Sequence, residues 1–246
     1  MKILLTNDDG YFAKGIKSVA RELIKRGYDI TIVAPMEENS GKSHSITLMK
    51  DIEIKKIEDY ELDVECYGVA GTPADAVRCA VEFLKTDFDF CFSGCNLGYN
   101  AGMDILYSGT VSAAIEANIF GINSIAISAE YNHGNPEYDI ASKIAVDVFE
   151  KIKDNLKIPQ VLNINVPAGT NGELKVVKLA GSVMDKYTVE KRENSYFLRL
   201  SGRKDTEFVE MTDRQVLQQK SVSLTPLVYD FTNEKLIKNI EEMLWK

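Results

Sequence analysis

The chain has 246 residues, a formal net charge of −8 and a pI near 5.0, with 45% hydrophobic and 27% charged residues. That composition belongs to a globular protein with a sizeable core and excludes a general nucleic-acid binder, which needs a basic face. A small anionic substrate stays open, because a bound cation reverses the local sign.

Residues 2–7 read as a buried strand. Ile16, Val19, Ala20, Leu23 and Ile24 recur at helical spacing over 14–26, and Gly27 closes that helix. A second buried strand spans 29–34 and stops at Pro35, giving a strand–helix–strand unit with parallel pairing. The stretch 45–70 alternates at Ile52, Ile54, Val64 and Cys66, as a side hairpin would. Thr72-Pro73-Ala74-Asp75 then has the form of a helix start, with Thr72 as N-cap, Pro73 first in the helix and Asp75 closing a capping box. A strand at 88–92, a glycine-rich loop at 93–102, a helix over 112–118, a strand at 123–128, a helix over 138–155 and a strand at 160–165 complete the alternation. Strands alternating with helices predict an α/β fold, a mostly parallel sheet covered on both faces.

Past residue 170 charges are denser and apolar runs shorter. Extended segments are expected at 174–179, 186–190, 194–200 and 221–224, with a last helix over 232–245 carrying Leu236, Ile237, Ile240 and Leu244. The chain therefore reads as a catalytic α/β domain over 1–170, with a hairpin-and-helix extension over 171–246 in the same structural unit. Cys66, Cys79, Cys91 and Cys95 form no Cys-x-x-Cys pair and read as reduced thiols. The opening apolar run is too short for a secretory leader, and no run approaches the ~18 residues of a spanning helix. The expectation is a cytoplasmic protein with no membrane segment.

Ligands of an open parallel sheet bind beyond the carboxyl ends of its strands. Three loops at that end carry unusual chemistry. After the first strand comes Asn7-Asp8-Asp9-Gly10, where adjacent carboxylates repel unless a divalent cation relieves them; a solvated Asp-Gly turn is the plain alternative. After the second strand comes Asn39-Ser40-Gly41-Lys42-Ser43-His44-Ser45. Its Gly-Lys-Ser is not a phosphate-binding Walker loop, because Met36 stands where the first glycine belongs and the loop follows the wrong strand. The segment still offers hydroxyls for a metal and Lys42 for a phosphate, while His44 is either a structural hydrogen-bonder or a catalytic group.

The third loop, Ser93-Gly94-Cys95-Asn96-Leu97-Gly98-Tyr99-Asn100-Ala101-Gly102, offers amide oxygens suited to Mg²⁺ or Mn²⁺; an ordinary flexible loop is the alternative. Tyr107-Ser108-Gly109-Thr110 runs into a helix whose start is an anion site or a simple hydroxyl cap. Taken together, oxygen ligands and anion binders along one sheet edge suit metal-assisted phosphoryl chemistry. A dinucleotide-dependent oxidoreductase is disfavoured, since Asp8-Asp9 replace the glycine fingerprint it needs. A metal or nucleotide sensor without turnover needs the same ligands as an enzyme and stays open.

These segments resemble the SurE family of survival proteins with 5′-nucleotidase activity. The likeness runs through Ile3–Gly10, Ala34-Pro35, Asn39-Ser40-Gly41, His44-Ser45, Gly71–Asp75, Ser93–Asn100, Tyr107–Ala114, Asn163–Pro167, Thr212-Asp213 and Ser223–Leu227. The resemblance implies a Rossmann-like three-layer sandwich whose C-terminal extension is exchanged between subunits of a homodimer or homotetramer. It implies one divalent ion per subunit, Mg²⁺ or Mn²⁺, on Asp8, Asp9, Ser40 and Asn96. It also implies hydrolysis of nucleoside 5′-monophosphates, with 3′-monophosphates and short polyphosphate as further substrates. On that basis Asp8 and Asp9 are the catalytic candidates, and Asn7, Lys42, His44, Asn100, Ser108, Gly109 and Thr110 the phosphate-binding ones. One departure stands out: Lys220-Ser221 occupy the place of a Gly-Tyr pair common in the family, which bears on the subunit contact and the substrate rim but not on the metal ligands.

Overall fold

A computed structural model describes residues 1–156, 160–181, 183–205 and 211–245. The first half runs β1 (Lys2–Thr6), α1 (Lys14–Lys25), β2 (Asp29–Pro35), β3 (Ile54–Lys56), β4 (Glu65–Val69), α2 (Pro73–Leu84) and β5 (Phe90–Leu97). The second half runs α3 (Gly109–Ile119), β6 (Asn123–Ala129), α4 (Tyr138–Ile152), β7 (Val161–Val166), β8 (Leu174–Val176), β9 (Val183–Arg192), β10 (Ser195–Asp205), α5 (Asp213–Gln218), β11 (Val222–Leu227) and α6 (Glu234–Leu244). The capping box read from Thr72 and Asp75 is present at the start of α2, with both reciprocal hydrogen bonds formed.

One sheet has the order β3-β4-β2-β1-β5-β6-β7-β11-β8, and β9 and β10 form a separate antiparallel hairpin. The central run from β4 to β7 is parallel, as the βα alternation predicts. Strand alternation sorts the core. Ile3, Leu5, Ile32, Phe90, Phe92 and Ile164 face α1 and α4, while Leu4, Val33, Tyr67 and Cys91 face α2 and α3. On the first face Phe90, Phe92 and Phe149 cluster with ring centroids 4.6 to 5.2 Å apart. These are the three layers of a Rossmann-like sandwich.

Three placements differ from the sequence reading. The 45–70 stretch does contain the expected hairpin, β3 antiparallel to β4, but it belongs to the main sheet: β4 pairs in parallel with β2, and β3 is the edge strand. The glycine-rich loop expected at 93–102 is strand as far as Leu97, because a bulge between Ser93 and Asn96 lets β5 resume pairing at Asn96↔Ser128. Beyond residue 170, β11 inserts between β7 and β8, so this part of the chain completes the sheet as well as forming the hairpin and α6. The hairpin and α6 carry much of the exposed apolar surface, including Val189, Phe197, Leu198, Ile240, Met243 and Trp245. Among the described residues, no helix is long and apolar enough to cross a membrane.

Candidate active site

The site follows from the strand order. From β1 the chain steps to β2 on one side and later returns to β5 on the other. The helix after β1, α1, packs with α4, whereas α3, which follows β5, packs on the opposite face with α2. The adjacent ends of β1 and β5, in register at Thr6↔Ser93, are therefore the topological switch point, where such sheets open a crevice.

Asn7-Asp8-Asp9-Gly10 turns sharply at that point. The Asn7 side chain closes the turn, accepting from Gly10 N–H at 3.2 Å and donating to the Gly10 carbonyl at 2.9 Å. Gly10 sits at φ 97°, which an L side chain rarely adopts. Asn7 is fully buried and thus builds the loop. Its side chain, a phosphate-binding candidate in the sequence, is engaged in this turn.

Asp8 is buried against the start of α3, where the Thr110 hydroxyl donates to its carboxylate. Its main-chain oxygen accepts from Asn39 N–H at 2.7 Å, which draws the 39–47 segment to the site. Gly109 permits the close approach: a Cβ there would lie 2.7 Å from the Asp8 Cβ and 2.9 Å from Pro73. Burial raises the Asp8 carboxyl above its ordinary range, opposed by the Thr110 hydrogen bonds. Asp9 is less enclosed. Burial, then the charges of Asp8 and Glu38, push it up to about 7, against a hydrogen bond from the Leu97 main chain. Glu38 is a third acid at this site that the motif reading missed; its presence was hidden in an exposed, irregular loop with no periodicity.

The remaining candidates divide. Asn96 is buried at the resumed end of β5, and its amide nitrogen donates to the Gly98 carbonyl at 2.7 Å, which leaves the amide oxygen as its acceptor end. The Ser40 hydroxyl donates to Glu38 at 2.7 Å. Lys42 is exposed in a cleft of about 590 Å³ with Glu38, Asn39 and Thr72. Ser108 caps α3 by accepting from Val111 N–H at 3.0 Å. Gly109 and Thr110 are the first residues of that helix, so their N–H groups have no partner within it.

Asn100 is held by a buried amide network. Its side chain donates to Ser128 at 2.9 Å, and its carbonyl accepts from Asn163 at 2.7 Å and Asn165 at 3.0 Å. His44 does not join the carboxylates. Its Nε2 lies 2.6 Å from the Glu116 carboxylate, seven residues and about 10 Å along α3 from Gly109.

Asp8 and Asp9 are adjacent carboxylates whose ordinary ionisation is suppressed by burial and, in lesser part, by the charge of Glu38 on both and of Asp8 on Asp9, a condition that a cation relieves. The neighbouring oxygens of Ser40 and Asn96 are hard and neutral, with no sulfur or imidazole among them, which suits Mg²⁺ or Mn²⁺. These residues fit such an ion.

An open α/β sheet of this order, with paired acids and a helix N-terminus at its switch point, defines a Rossmann-like protein with an acidic site in its crevice. Comparisons with known proteins narrow this class. Residues 3–189 match the family described as survival protein SurE. Curated relatives named 5′-nucleotidase SurE include one from Clostridium tetani, 42% identical with 98% of each chain covered. Another, from Clostridium botulinum strain 657, is 40% identical with 99% of each covered. The solved SurE protein from Aquifex aeolicus superposes with a TM-score of 0.81 at 32% identity, covering 99% of this chain and 100% of that one. The chain belongs to the survival protein SurE family.

Proposed function

We propose that this protein is a divalent-metal-dependent 5′-nucleotidase, hydrolysing nucleoside 5′-monophosphates to nucleoside and phosphate. The observation that carries this reading is the Asp8–Asp9 pair set against the N-terminus of α3 at the β1/β5 switch point. Family membership and the relatives' shared name support it. We extend the reading to 3′-monophosphates and short polyphosphate, which present the same terminal phosphoryl group.

Asp8, Asp9, Ser40 and Asn96 would hold one Mg²⁺ or Mn²⁺. When bound, such an ion supplies Lewis acidity to the phosphoryl group and eases deprotonation of the attacking water. Asp8, pinned by Thr110, serves as a fixed anion. Asp9, the more open of the two, acts on the reacting centre, either taking a proton from water or attacking phosphorus. The helix N–H groups of Gly109 and Thr110 face developing negative charge, and the Ser108 hydroxyl still has its own proton to donate. Lys42 adds a mobile cation at the rim. Charge stabilisation of this kind counts most where charge grows toward the transition state.

Release of phosphate from a nucleoside monophosphate with added Mn²⁺, abolished by chelator, is the expected result; turnover that survives chelation would overturn the metal assignment. Absence of turnover with every divalent ion tried would favour a sensor. Rapid acid quench separates the two routes for Asp9, since only carboxylate attack leaves an acid-stable phosphoryl-protein.

We also read the chain as a homodimer or homotetramer, a reading supported by the exposed apolar side chains on β9, β10 and α6. A cytoplasmic setting is supported by the four free cysteines. Sedimentation of the intact chain tests the first; a monomer would overturn it.

A further inference from the structure

Two-thirds of the way along α3, among Ala113, Ala114 and Ala117, stands Glu116 at 1% exposure. Carboxylates are almost never this buried unless paired. Glu116 is paired twice: Arg78 on α2 donates to one oxygen at 2.5 Å, and His44 Nε2 lies 2.6 Å from the other. Burial pushes its carboxyl up, but His44 and Arg78 together hold it below the ordinary range.

Stability does not account for this arrangement. A buried ion pair is often no more stabilising than apolar residues of the same volume, and the large penalty for breaking one comes from stranding a buried charge. Here neither partner would be stranded, because the side chains of Arg78 and His44 are 44% and 32% exposed and turn readily to water.

What Glu116 grips is a segment with no regular structure of its own. Residues 39–47 contain no helix or strand. They cross the site as a strap, joined to Asp8 at Asn39, to the Tyr107 carbonyl at Ser43, to Thr72 at Ser45 and to Asp75 at Thr47. Ser40 and Lys42 lie between the first two ties, and His44 comes immediately after them.

We propose that Glu116, acting through His44, is a positioning residue that holds the 39–47 strap, and with it Ser40 and Lys42, over the Asp8–Asp9 site. The proposal rests on reading that site as the active one. Its test uses the full chain in the variants Glu116→Leu, Glu116→Gln, His44→Ala and the double variant Glu116→Leu/His44→Ala.

In Glu116→Leu, the amides of the strap should exchange with solvent about tenfold faster or more. Mn²⁺ binding, followed by electron paramagnetic resonance, should weaken about 10- to 100-fold, as for other groups that orient a ligand from behind. The melting midpoint should fall by less than about 4 °C. His44→Ala should reproduce these losses, and the double variant should be no worse than either single one. Glu116→Gln keeps the shape, with its one oxygen accepting from Arg78 and its amide N–H donating to Nε2 of a neutral His44, and should recover part of the Mn²⁺ affinity that Glu116→Leu loses.

Unchanged strap exchange and Mn²⁺ binding in Glu116→Leu would overturn the proposal, as would losses that add in the double variant. If Glu116→Leu does not fold, His44→Ala carries the same test from an exposed position. A wild-type chain that neither binds Mn²⁺ nor turns over nucleotide overturns the functional reading instead, and strap exchange then decides the role of Glu116 on its own.

Discussion

Both faces of the sheet bury apolar clusters, but they differ in how much polar chemistry lies among them. Toward α1 and α4 the strands present Ile3, Leu5, Ile32, Phe90, Phe92, Ile125, Ile127 and Ile164, an apolar layer closed by Phe149. Toward α2 and α3 the same strands bury Thr6, Ser93, Ser128, Asn163, Asn165, Ser223 and Thr225, and α3 adds Glu116. Several of these atoms, among them the hydroxyls of Thr6 and Ser93, have no hydrogen-bond partner. A buried unpaired polar atom costs ~1–3 kcal/mol. Both faces therefore supply stability, but the second gives some of it up to arrange polar groups beneath the active crevice. Functional sites are where such local violations are expected to gather.

The largest effect should come from Asp9→Asn. It removes the charge that acts on the phosphoryl centre and should lower kcat by about 10⁴-fold or more, with the fold intact by circular dichroism. Near-normal kcat in that variant would mean the polar face is not where the chemistry lies. Next is Phe92→Ala on the apolar face, expected to cost about 3–5 kcal/mol in urea unfolding while the folded fraction keeps its kcat. A loss of kcat without a loss of stability there would break the division between the faces.

A third test is the pH dependence of chelator-treated protein. Asp9 is raised from 3.8 to about 7, so between these values the folded chain keeps a proton that the unfolded chain has released. Stability present below about pH 4 is then lost as pH climbs through 7, by at most about 4 kcal/mol, and the raised carboxyl of Asp8 adds in the same direction. The melting midpoint should fall from pH 5 to pH 8 in chelator, and Mn²⁺ should remove most of that fall. A flat profile would show that the acids do not strain one another. The smallest expected effect is Thr6→Val, which deletes an unpaired buried hydroxyl at constant shape and should stabilise the chain by about 1 kcal/mol.

Sequence alone reveals the apolar face better than the polar one, for a physical reason. Runs such as Ile3-Leu4-Leu5 and Ile30-Thr31-Ile32-Val33, and the cap at Thr72 with Asp75, are local signals, and the βα order they give is the order observed. The pairing of β11 between β7 and β8 is non-local and leaves no mark in its own neighbourhood. The strand setting of Asn96 was not legible, because glycines at 94 and 98 suggest a loop, although a bulge lets the strand continue through to Leu97. Asp8, Asp9 and the start of α3 could be found because their residue types are unusual at a strand end and a helix start. His44 could not be placed, since its partner lies 72 residues away. Glu116 did leave a trace, as a lone acid in the alanine-rich run Ser112–Ala117, but the loop motifs did not direct attention to it.

The proposed reaction depends on a cation shared by the carboxylates of Asp8 and Asp9. Anomalous diffraction at the manganese edge, from crystals soaked in Mn²⁺, tests that most directly. A peak within bonding distance of both carboxylates is predicted; a manganese-soaked crystal with no peak touching either would contradict it.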